Sequence, residues 1–96
     1  MQVLALRVEL HIPAATSLKA KRSVVSSLVA ASRHRFGVAA AEVGHQDTWQ
    51  LATLGFAAVG DSVGHVSDVI DHVERFVWSN PEVEVTETER TWLDRS

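Results

Sequence analysis

Ninety-six residues, 46% of them hydrophobic and 22% charged, with five Gly and two Pro, suit one globular domain and exclude a disordered or low-complexity chain. The lack of Cys excludes disulfides, thiolate metal sites and cysteine nucleophiles, and leads us to expect a cytoplasmic protein. A net charge of −3 argues against a protein that coats nucleic acid without selectivity, and with no apolar run near the roughly 18 residues of a membrane span, neither a membrane partner nor a signal peptide is expected.

Gln2 to Ile12 alternate strictly. Leu4, Leu6, Val8, Leu10 and Ile12 share one face, and Val3, Ala5, Arg7, Glu9 and His11 the other. Period two predicts a strand with one face on the core, stopped by Pro13, which has no N–H to donate. Thr16 or Ser17 supplies an N-cap for a helix over Leu18–Phe36. Its stripe is Leu18, Val25, Val29 and Phe36, with Leu28 and Ser32 beside it; Gly37 is the expected terminator. Val38–Val43 reads as a second strand of small residues. Gly44 to Trp49 is a polar connection, and Gln50–Val59 a third strand, so the pair forms a hairpin. Gly60-Asp61-Ser62 turns into a helix running from Ser62 to about Ser79, with Val66, Val69, Ile70, Val73 and Val77 inward. Asn80-Pro81 ends it, and Glu82 to about Trp92 forms a Glu- and Thr-rich strand, the composition that keeps an edge from pairing with a stray chain.

The order β-α-β-β-α-β with right-handed split crossovers predicts an α+β fold: a ferredoxin-like αβ sandwich, sheet order 4-1-3-2, both helices on one face. No linker or internal repeat interrupts it.

Three segments in this order, LRVELHIPAATSLKAKRSVV (6–25), AEVGHQDTWQLATLG (41–55) and NPEVEVTETERTWL (80–93), resemble the YlxP-like family of small bacterial proteins. The resemblance implies the same ferredoxin-like fold. It implies little about activity, because the family is a domain of unknown function. Its genes commonly stand beside those for translation initiation factor 2 and ribosome-binding factor A, which implies a role in ribosome maturation or translation.

Charge is distributed unevenly: residues 1–50 carry six cations and three anions, residues 51–96 three cations and nine anions. Lys19, Lys21 and Arg22 crowd the opening turns of the first helix, where the macrodipole favours anions. Such a cluster is tolerable where an anion docks, and Arg33 lies about 16 Å further along nearly the same face. These four cations are the expected contacts to phosphates of ribosomal RNA or to an acidic surface; solvated pairing with acidic neighbours is the competing reading. His45, Gln46, Asp47 and Trp49 form the second candidate. A hairpin needs turn formers, and Asp47 with Thr48 could supply a turn bonded through a side chain, but it does not need His, Gln and Trp in the same short stretch. Trp49 could stack on a base or anchor a protein contact, or it could fold back over the sheet edge.

The histidines stand at 11, 34, 45, 65 and 72, without HxxxH or HxH spacing, so no metal is expected even though His11, His45 and Asp47 could meet at one end of the sheet. No G-x-S-x-G, P-loop or G-x-G-x-x-G occurs. Acylphosphatase shares the fold type, but its phosphate-cradling loop is Gly/Arg-rich, whereas this chain has Ile12-Pro13-Ala14-Ala15-Thr16. Neither catalysis nor a cofactor is expected. The outward residues of the first strand, and Leu51, Thr53, Gly55, Ala57 and Val59 of the third, include no aromatic pair on which bases would stack. That half-apolar face suits self-association, so a homodimer, or a module binding another protein, stands as the alternative to an RNA- or ribosome-associated accessory protein.

Overall fold

A computed structural model describes residues 1–93. The elements are β1 (Gln2–His11), α1 (Leu18–Phe36), β2 (Ala39–Gly44), β3 (Leu51–Gly60), α2 (Val63–Trp78) and β4 (Glu84–Trp92). They form a four-stranded antiparallel sheet in the order β2-β3-β1-β4, the predicted arrangement read from the other edge. Both helices cover one face. The other is open.

The alternation in β1 works as its period requires: Leu4, Leu6, Val8 and Leu10 are buried under the helices, with Ile12 just beyond the strand. Ala52, Leu54, Phe56 and Ala58 of β3 and Ala40 of β2 complete the sheet's contribution, and α2 adds Val66, Ile70, Val73 and Val77. Burying each Val, Leu, Ile or Phe among them is worth about 1.5–3 kcal/mol, and each Ala about 0.8 kcal/mol, before chain entropy is charged against it.

Local chemistry sets the boundaries. The Ser17 hydroxyl accepts the Ala20 N–H at 3.0 Å, so Ser17 rather than Thr16 caps α1. Gly37 closes the helix at φ 64°, its N–H reaching the Arg33 carbonyl at 3.1 Å. Ser62 caps α2 in the same way, accepting from His65 N–H at 3.2 Å. β4 begins two residues later than expected because Asn80 holds Glu82 in a turn, its side-chain oxygen accepting the Glu82 N–H at 2.8 Å. Among the described residues no helix is long and apolar enough to cross a membrane.

One expectation needs correction. The buried stripe of α1 is Lys21, Val25, Leu28, Val29 and Ser32, with Leu18 and Phe36 only half-buried at its ends. The stripe is therefore turned from the predicted one, and a lysine opens it.

Candidate functional site

Lys21 has no solvent exposure. Its ammonium lies 3.0 Å from Glu42 Oε2 and donates to the His45 carbonyl. Predicted as one of four solvent-facing cations, it is instead an internal ion pair and takes no outside anion. The reason is geometric: Lys21 stands one turn before Val25 on the core stripe, and Glu42 shares with Ala40 the side of β2 that faces α1. Two opposite charges, each in the buried phase of its own element, were the available signal. Period and charge must be read together to find it.

The same ammonium shapes the hairpin. The His45 carbonyl accepts Lys21 Nζ and, at 3.1 Å, the Thr48 N–H. His45 itself sits at φ 60°, a left-handed conformation uncommon for a residue with a Cβ. The turn is thus closed by backbone, not by the Asp47 side chain as the sequence suggested. A second tether comes from Gln50, whose Nε2 donates to the carbonyls of Pro13 at 3.0 Å and Ala15 at 3.4 Å, while its own carbonyl accepts Ile12 N–H at 2.8 Å. Gln50 was not among the candidate residues. It ties the hairpin loop to the β1–α1 connection, so the loop and the first turns of α1 share one end of the molecule.

On that end Lys19 and Arg22 are exposed, and among the described residues neither has a carboxylate within ion-pair distance. His45, Gln46, Asp47 and Trp49 are exposed as well, Trp49 at 54%. Arg33 is exposed but stands apart: its guanidinium donates to the Ala40 carbonyl at 2.5 Å, on the edge strand β2. The four predicted cations therefore separate into one buried, two free and one engaged elsewhere.

The open sheet face carries a polar network. Arg7 meets Glu9, Glu87 at 2.9 Å and Glu89 at 3.6 Å. The carboxylates of Glu87 and then Glu9 hold its guanidinium pKa above the ordinary arginine value. Glu9 also accepts from the Thr53 hydroxyl at 2.5 Å and lies 4.0 Å from His45 Nε2. His11 pairs instead with Glu84 at 2.8 Å, so His11 and His45 answer to different carboxylates. The β2–β3 half is apolar: Val43, Leu51 and Val59 are exposed, and a groove of about 480 Å³ runs over Ala5, Ala39, Ala41, Gly55 and Ala57. Phosphate meets unfavourable charge on the acidic half and no aromatic platform on the apolar one. The face does not suit RNA.

Comparison with known proteins agrees with the resemblance read from the three segments. The chain is 38% identical over 79 residues to the uncharacterized protein YlxP of Bacillus subtilis (strain 168), covering 82% of this chain and 86% of that protein. Residues 3–90 match the family described as "Protein of unknown function (DUF503)", and the chain belongs to that family.

Proposed function

We propose that this protein is a non-catalytic, RNA-associated accessory factor of the ribosomal small subunit or of translation, which contacts RNA with the end of the molecule shared by α1 and the β2–β3 loop. Lys19 and Arg22 would meet phosphates, and Trp49 would stack on a base or aromatic side chain with His45 and Gln46 hydrogen-bonding beside it. The observation that carries the reading is the Lys21 anchor: one buried ammonium fixes the loop against the helix that bears the two free cations. The parts are held in register before a partner arrives, which lowers the ordering cost of binding.

Sedimentation of cell extracts tests this. Wild type should co-migrate with small subunits, and Lys19→Glu/Arg22→Glu should leave those fractions. Lys21 is kept, because a carboxylate in its place would face Glu42 in the core. Co-migration of the double variant at the wild-type level, or absence of both proteins from ribosomal fractions, overturns the reading.

A second reading, a homodimeric module that binds protein and not nucleic acid, draws support from the exposed Val43, Leu51 and Val59 beside the groove. Analytical ultracentrifugation across a concentration series distinguishes it: a dimer weakened by Val43→Ser/Val59→Ser favours this reading, and a monomer at all concentrations removes it.

A further inference from the structure

The two edges of the sheet differ in chemistry. β4 presents Glu84, Glu87, Glu89 and Arg90 along its length, charges that discourage an incoming strand; a register shift is common to both edges, at Glu9/Leu10 against β4 and at Glu42/Gly44 in β2. β2 reads Ala39-Ala40-Ala41-Glu42-Val43-Gly44. It has no Lys, Arg or Pro, and its one carboxylate is committed to Lys21. β2 pairs with β3 on one side; among the described residues no strand pairs with the other.

What stands at that edge is Arg33. It belongs to the helix layer, yet it donates to the Ala40 carbonyl and borders the groove on the opposite face, so its side chain reaches round the strand. Among the described residues no carboxylate lies within ion-pair distance of it.

We propose that the free edge of β2 is a docking site for an extended acidic segment of another protein, which adds as a fifth strand and pairs a carboxylate with Arg33. The inference is independent of the RNA reading, which uses Lys19, Arg22 and the loop. An added strand gains backbone hydrogen bonds along β2. At Ala40 it competes with a guanidinium, and a neutral strand that displaces it leaves that charge without a partner. A strand with a carboxylate nearby recaptures the displaced group by a charge-assisted bond. Period two sets the rest of the pattern. As far as the register shift at Glu42/Gly44, side chains beside Ala39 and Ala41 extend the apolar groove, and the alternate ones, beside Ala40 and Glu42 and turned towards α1, carry the acid. A second copy of β2 fits poorly, because pairing with itself brings two Arg33 side chains to one edge and no free carboxylate.

The probes are six-residue capped peptides, the length of β2, alternating Val with Glu, Gln or Lys. Binding to the full chain is followed by fluorescence anisotropy, and the site by amide hydrogen exchange. The Val/Glu peptide should bind and slow exchange in Ala39–Gly44, and Arg33→Gln should weaken it about tenfold, the worth of one charge-assisted bond. Arg33→Glu should reverse the preference to Val/Lys, a swap that damage to the fold does not produce. Lys19→Glu/Arg22→Glu should bind the Val/Glu peptide as wild type does, which separates this site from the RNA surface. Equal binding of Val/Gln and Val/Glu, absence of binding, protection outside β2, or β2 protection that rises with protein concentration alone overturns the proposal.

Discussion

Lys21 and Glu42 share a bond but not an environment. The ammonium is wholly inside, whereas the Glu42 side chain keeps 18% of its surface in contact with solvent. Removing Glu42 strands a wholly buried cation with the His45 carbonyl as its remaining partner; removing Lys21 leaves a buried Glu42 Oε2 on a side chain that is otherwise partly exposed. Glu42→Ala should therefore cost about 3 kcal/mol or more, the usual penalty for breaking a buried pair, and Lys21→Met clearly less. Urea denaturation of both, with the double variant, measures the order. A double variant more stable than Glu42→Ala alone identifies the unpaired ammonium as the source of the loss. If Lys21→Met is the more damaging, the pair is not held as described. The pair was half legible. The stripe read from Leu18, Val25, Val29 and Phe36 passes beside position 21, and a lysine next to Lys19 and Arg22 reads as part of an exposed cluster until the strand phase of Glu42 is set against it.

Most of the elements could be read from the chain because each is governed by rules that operate over a few residues. The period in Gln2–His11, the cap at Ser17 and the terminator at Gly37 depend on neighbours within one or two turns. The capture of Arg33 by Ala40, seven residues away and across a change of layer, depends on where the chain returns and has no local signature. Gly37 allows a clean test of the local kind. It sits at φ 64°, and an added Cβ would meet nothing within 4 Å, so a substitution there changes backbone energy without a clash. Gly37→Ala should destabilise by about 1–2 kcal/mol, the cost of a left-handed backbone with a Cβ, and Gly37→Asn by less, since Asn tolerates this region. Equal midpoints for the two variants in urea would show that something other than the dihedral sets the cost. The neighbouring α1–α2 contact, where Phe36 meets the Phe76 ring edge-on at 5.6 Å under Arg35, shields that end of the core and should hold in both variants.

At the scale of the whole molecule, the asymmetry between halves of the chain becomes an asymmetry between surfaces. α1 contains no acidic residue, and Lys19 and Arg22 face solvent at its start; the β1–β4 side of the open face sets Glu9, Glu87 and Glu89 around a single Arg7. A polyanion approaching this molecule is drawn to the α1 layer, which carries Lys19 and Arg22 at its start and Arg33 and Arg35 in its last turn, and repelled from the opposite layer, so charge selects the layer before any contact forms. The proposed mode then fixes the salt response. Each phosphate neutralised on a single strand contributes about −0.7 to the slope of log K against log salt, so two cations give about −1.4. A protein that coated RNA with its whole surface would show a far steeper line, and binding by Trp49 stacking alone a nearly flat one. Titrating a labelled single-stranded RNA at several salt concentrations reads this directly. Lys19→Glu/Arg22→Glu should flatten the slope, while Trp49→Ala should lower affinity at every salt concentration and leave the slope unchanged, because stacking releases no counterions. A double variant with the wild-type slope would place the phosphate contacts elsewhere on the protein.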